Sequence, residues 1–81
     1  MRILVVDDDD TLRLTLRSVL ETRGYEVVEA ENGEKAVELV EAGGGFQFVI
    51  LDVNMPKMSG LEALEKIKQI SPTTFCLILT A

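Results

Sequence analysis

The sequence predicts an α/β fold on a parallel sheet, and three features of the chain point to it. Short apolar runs lie at residues 3–6, 46–51 and 75–79, and the first is continuous rather than alternating, the pattern of a strand buried on both faces in a parallel sheet. Between them lie segments whose apolar residues recur at helical spacing. Acidic residues stand directly after the first two of those runs. Strands alternating with helices imply right-handed crossovers and a parallel sheet, with ligands expected beyond the strand C-termini, near a topological switch.

Residues 3–6, Ile-Leu-Val-Val, supply the first strand. Four aspartates follow, then Leu12, Leu16, Val19 and Leu20 at i, i+4, i+7 and i+8, one helical stripe expected to face the sheet. Asp10 is read as the acceptor for the free N–H groups at the helix start, and Arg23 and Gly24 as its end. Leu14 falls off the stripe and reads as a lone exposed apolar residue. Residues 25–30 carry Val27 and Val28 between glutamates, a short peripheral strand, and Asn32 with Gly33 makes a turn. Ala36, Val37, Leu39 and Val40 mark a second helix stopped by Gly43, Gly44 and Gly45. The longest apolar run, residues 46–51, then ends abruptly at Asp52. After a loop containing Pro56, Ser59-Gly60-Leu61-Glu62 matches the S-x-x-E capping box and opens a third helix, with Leu61, Leu64 and Ile67 expected toward the sheet. Ser71 and Pro72 break it, and residues 75–79 give a fourth strand ending at Thr80 and Ala81.

A chain of 81 residues makes one domain at most, with a small core and a thin margin of stability. Its 47% hydrophobic and 27% charged content is too apolar for disorder, so it is expected to fold. The net charge of −6, from 14 acidic and 8 basic residues, argues against nucleic-acid contact and favours basic partners or metal cations. The single cysteine, Cys76, has no internal partner for a disulfide and reads as a small buried hydrophobe. The opening apolar run turns acidic at Asp7, too soon for a signal peptide, and no stretch approaches the roughly 20 apolar residues that span a bilayer. A cytoplasmic protein without membrane contact is the expectation.

Asp7, Asp8 and Asp52 all follow apolar strands, so adjacency of the first and third strands would bring three carboxylates into one small volume. Like charges so close resist ionising together, and a cation relieves them. Hard oxygen ligands in a chain without histidine suit Mg²⁺ or Mn²⁺ rather than zinc. The structural alternative for Asp7 to Asp10 is a helix cap, which fits Asp9 and Asp10 better than Asp7 and Asp8. For Asp52 the alternative is a turn-starting aspartate, and for Thr80 a β-branched residue at a strand end.

Asp7-Asp8 after one strand, Asp52-Val53-Asn54-Met55-Pro56 after another, Gly60 opening a helix and Thr80-Ala81 after a third strand resemble together the receiver domain of bacterial two-component response regulators. The resemblance runs over the whole chain. It implies a flavodoxin-like sheet of order 2-1-3-4 with helices on both faces, and a role in phosphorelay signalling rather than as an enzyme. In that family the position of Asp52 accepts a phosphoryl group from a sensor histidine kinase or phosphotransfer protein. The positions of Asp8 and Asp52 and the backbone carbonyl of Asn54 bind Mg²⁺, with that of Asp7 helping through water. Thr80 matches the hydroxyl residue that turns toward the phosphate, and Ala81 its small neighbour.

The chain departs from the family in ending after the fourth strand, so residues 1–81 read as an incomplete receiver lacking the fourth helix, fifth strand and fifth helix. The family's lysine at the end of the fifth strand has no match among Lys35, Lys57, Lys66 and Lys68, so the site reads as incomplete and phosphorylation of Asp52 is expected to be impaired. The fourth strand becomes an uncovered edge, and a homodimer or higher oligomer formed there, or by exchange of elements, is expected. Two other functions compete. One is a receiver-derived assembly fragment without phosphotransfer, favoured by the missing lysine. The other is an aspartate-nucleophile phosphatase, disfavoured because Asn54 stands where such enzymes need a second acid.

Overall fold

The computed structural model describes residues 1–55 and 58–79. Along the chain run β1 (Arg2–Val6), α1 (Asp10–Thr22), β2 (Glu26–Ala30), α2 (Gly33–Glu41), β3 (Phe48–Asp52), α3 (Gly60–Ile70) and β4 (Phe75–Leu79). The strands form one sheet in the order β2-β1-β3-β4, with every pair parallel, as the flavodoxin-like expectation required. From β1 the chain moves outward to β2 and then returns across β1 to β3. The topological switch therefore lies between the C-termini of β1 and β3.

Burial on both faces explains the apolar runs of β1 and β3, but not that of β4, an edge strand with no buried residue. Leu4 and Val6 of β1 and Val49 and Leu51 of β3 meet Ala36, Val37 and Val40 of α2 and Ala63 and Ile67 of α3. The alternate residues Ile3, Val5, Val27 and Ile50 meet Leu16 and Leu20 of α1 on the opposite face. Leu4, Val5, Val6, Val49 and Leu51 are at most 1% exposed, and each such side chain contributes about 1.5–3 kcal/mol by leaving water. Coverage of the two faces is unequal. α1 packs on β1 and β2, while Phe75 and Leu77 of the edge strand β4 stay 65% and 46% exposed. Phe75 stacks on Phe48 at a ring-centroid distance of 5.4 Å.

Several local expectations are corrected. Asp9, not Asp10, caps α1: its extended backbone lets the carboxylate accept from Thr11 and Leu12 N–H, and Asp10 becomes the first helical residue. Of the α1 stripe only Leu16 and Leu20 reach the core, whereas Leu12 and Val19 are 40% and 52% exposed because α1 covers only the β1–β2 half of its face. Asn32 is the N-cap of α2 rather than a free turn residue, accepting from Lys35 N–H at 2.8 Å. In α3 the buried stripe is Gly60, Ala63 and Ile67, with Leu64 partly buried and Leu61 exposed. The small residues of that stripe let α3 approach the end of β3 and α2, and Leu61 is rotated one position off it. Ser59 caps α3 as expected, although Glu62 returns its carboxylate to the Ser59 hydroxyl.

Candidate functional site

In the β1–β3 register Val6 lies opposite Leu51, so the acids that follow, Asp7 and Asp52, leave the sheet side by side at the switch point. Asp8 joins them. One carboxylate oxygen from each of Asp7, Asp8 and Asp52 can be chosen so that all lie within 4.8 Å of one another. Asp7 is buried, Asp52 half-buried and Asp8 exposed, so the cluster opens to solvent on one side.

Backbone bonds fix Asp7 itself and the residue that follows Asp52. The Asp7 N–H donates to the Ala30 carbonyl at 3.2 Å, extending the β1–β2 ladder by one bond. The Asp7 carbonyl accepts from Arg13 Nη1 at 2.6 Å, and its Oδ1 accepts from Asp9 N–H at 2.8 Å. Asp9 thus holds Asp7 with its N–H and caps α1 with its carboxylate, coupling the helix start to the site. Beyond Asp52, the Val53 N–H donates to Leu79 of β4 at 3.2 Å and the Val53 carbonyl accepts from Gly60 N–H at 3.1 Å. Gly60 sits so close that a side chain there would strike the Asp52 carbonyl oxygen. Asp52 Oδ1 accepts from Asn54 N–H at 3.1 Å, which places Asn54 directly after the acid on the exposed side.

Electrostatically the cluster is under tension. Burial pushes the Asp7 carboxyl above its ordinary range; the Asp9 N–H pulls it back, and the charges of Asp52, Asp8 and Asp9 push it up again. A divalent cation would offset that repulsion. All donors are hard oxygens and the chain has no histidine, a donor set that suits Mg²⁺. The residues present therefore fit Mg²⁺.

Of the other site residues read from the sequence, Thr80 and Ala81 lie outside the described residues. Leu79, just before them, is the register partner of Asp52. Lys35 lies 4.0 Å from Glu38, and Lys68 bonds the carbonyls of Pro72 and Thr74. Sequence reasoning passed over Arg13. A cation in the first turns of a helix opposes the helix dipole, and that mismatch was the signal that it has specific partners.

A family profile, the response regulator receiver domain, matches residues 3–81. The chain belongs to the response regulator receiver family. This receiver is 46% identical to the chemotaxis protein CheY of Bacillus subtilis over 70 residues, 85% of this chain and 58% of that protein. It is 43% identical over 81 residues, its whole length, to a cyclic di-GMP phosphodiesterase of Thermotoga maritima, of which it spans 21%. Among solved structures, the response regulator TrrA of Thermotoga maritima, in complex with Mg²⁺-BeF, superposes with a TM-score of 0.91 at 42% identity. That match covers 99% of this chain and 69% of TrrA. The receiver thus spans between about a fifth and three fifths of these curated relatives. The family places it in phosphorelay signalling; receivers are generally not enzymes, and the phosphodiesterase is a multidomain protein matched over a fifth of its length. No helix among the described residues is long and apolar enough to cross a membrane.

Proposed function

We propose that this receiver takes a phosphoryl group onto Asp52 from the phosphohistidine of a sensor histidine kinase or a phosphotransfer protein, in a reaction that needs Mg²⁺ or Mn²⁺. The observation that carries the reading is the convergence of Asp7, Asp8 and Asp52 at the switch point. In the transfer an Asp52 oxygen–phosphorus bond forms and the phosphorus–nitrogen bond breaks, with the nitrogen keeping the electron pair and taking up a proton. Asp8, Asp52 and the Asn54 carbonyl would hold the cation, with Asp7 assisting through water. When bound, it neutralises the charge that keeps a carboxylate nucleophile from an anionic phosphoryl group. The chain's own contribution is to hold Asp52 rigidly between β4 and α3 and to keep the adjacent acids aligned. Thr80 would donate its hydroxyl to the new phosphate and Ala81 its N–H. The product carries about −1.5 to −2 charges where the Asp52 carboxylate carried −1, beside two other acids, a local change of charge and shape that can bias a two-state element.

Intact-mass analysis after incubation with acetyl phosphate and Mg²⁺ tests this. The expected result is one phosphoryl adduct on the wild type, none on Asp52→Asn, and none after chelation of the metal. A folded wild-type chain that gains no adduct would favour an assembly role without phosphotransfer.

The same proposal extends to self-association of the 81-residue chain through β4. Its support is an edge strand that presents Phe75 and Leu77 to solvent. Light scattering at micromolar concentration should find a dimer or larger species that Leu77→Glu dissociates; a strict wild-type monomer would end the idea.

A further inference from the structure

We propose that Arg13 is a positioning residue for the acidic site, acting through the Asp7–Asp8 peptide rather than through its charge. Its side chain is 12% exposed, and all three guanidinium nitrogens are engaged, each with a different element. Nη1 donates to the Asp7 carbonyl at the end of β1 at 2.6 Å, Nε to Glu29 of β2 at 3.1 Å, and Nη2 to Asp10 at the start of α1 at 2.5 Å. Two carboxylates hold the fork, and the fork holds one carbonyl.

That carbonyl belongs to the peptide joining Asp7 to Asp8. With the Asp7 N–H bound to Ala30 and the carbonyl bound to Arg13, both ends of the residue are anchored. The direction in which Asp8 departs is set as well. Arg17 provides the internal comparison. It pairs with the other oxygen of Glu29 at 2.8 Å and with Glu21 at 3.2 Å, so it belongs to the same ion-pair network. Its bonds run to those two carboxylates and leave the Asp7 carbonyl to Arg13. A lysine at position 13 would keep the charge and lose the planar fork that spans three partners.

The effect on metal affinity rests on the Mg²⁺ reading given above, so the test has a metal-free arm. In ¹⁵N-labelled chain without metal, Arg13→Gln and Arg13→Lys are expected to move the Asp8 and Asp9 amide resonances and to speed exchange of the Asp9 N–H. Arg17→Gln is expected to leave both in place. In the second arm, isothermal titration with Mg²⁺ alone should show both Arg13 variants weakened about tenfold, the scale seen when groups orienting metal ligands are removed, and Arg17→Gln unchanged. Arg13→Lys carries the comparison if Arg13→Gln does not fold. Wild-type affinity and unmoved amides in a folded Arg13 variant would overturn the inference. So would full rescue by Arg13→Lys, which would make charge the cause, or equal weakening by Arg17→Gln. If the wild type takes up no Mg²⁺ at millimolar concentration while the amide effects stand, the metal reading falls and the positioning of the peptide survives.

Discussion

Replacing Gly60 by alanine tests whether the close approach of α3 to β3 holds Asp52 in place. The added Cβ would come onto the Asp52 carbonyl oxygen, 2.8 Å from Val53 Cα and 2.9 Å from the Asp52 carbonyl carbon. These are all backbone atoms, so no side-chain rotation relieves the clash; either α3 backs away or the end of β3 moves. Over-packing of this kind costs about 1–3 kcal/mol. Alanine regains up to about 1 kcal/mol of helix propensity, and less at the first residue of a helix. The net loss, about 1–2 kcal/mol, corresponds to a fall of roughly 4–16 °C in melting temperature for a domain this size. Gly33→Ala is the control, because its Cβ would meet side-chain atoms, Ala63 Cβ at 3.1 Å and Met58 Cβ at 3.2 Å, which can yield by tenths of an ångström. Far-UV circular dichroism melts of the three proteins, with amide spectra of Asp52 and Asn54, make the comparison. A Gly60→Ala protein that melts at or above the wild type, with those amides unmoved, would refute the reasoning.

The core and the ion pairs give two further expectations. Leu51→Ala, at a fully buried site between β1 and β4, should cost about 2–5 kcal/mol in urea unfolding, whereas Leu61→Ala, 58% exposed, should stay within about 0.5 kcal/mol. Hydrogen bonds from Arg17, and secondarily from Arg13, hold the Glu29 carboxyl below its ordinary value of 4.5 against the opposing effect of burial. Because the folded value lies below the unfolded one, the Glu29 contribution is full above pH 4.5 and is lost as pH falls through the lowered value. Glu29→Gln should therefore melt below the wild type at pH 7, with the gap closing in acid; a gap that widens in acid would contradict the sign.

The inner strands were legible because a strand buried on both faces leaves a mark that survives without context: Leu4, Val5 and Val6 have no polar alternative among them, while the strand order followed from the resemblance to receivers. The acids were legible for a related reason, since an abrupt change from apolar to carboxylate at Val6–Asp7 and Leu51–Asp52 marks where the core stops. Helix faces were harder. Leu12 and Val19 share a stripe with Leu16 and Leu20, yet exposure is decided by how much sheet lies beneath each, and periodicity carries no such information. In α3 the spacing of leucines suggested Leu61, while the close approach was set by Gly60 and Ala63, residues whose importance lies in what they lack. Asp9 and Arg13 were obscured because four successive aspartates look alike in sequence and differ only in where their atoms point.

The same contacts therefore serve stability and site geometry. Val6 and Leu51, buried opposite each other, fix the register that sets Asp7 beside Asp52. The peptide bonds that follow are then held by groups from β2, α1, α3 and β4, each of which the core orients. With the backbone so constrained, the carboxylates have little room to swing apart. Asp7 and Asp52 each accept one backbone N–H at Oδ1, from Asp9 and Asn54, and the repulsion that remains is stored in a rigid frame. A flexible loop carrying the same three aspartates would relax by separating them and would have to be reassembled around a cation. Here the separation is resisted by the core itself, so the cost of assembling the cluster is met in folding, and on the proposed reading a divalent cation would bind a site already assembled.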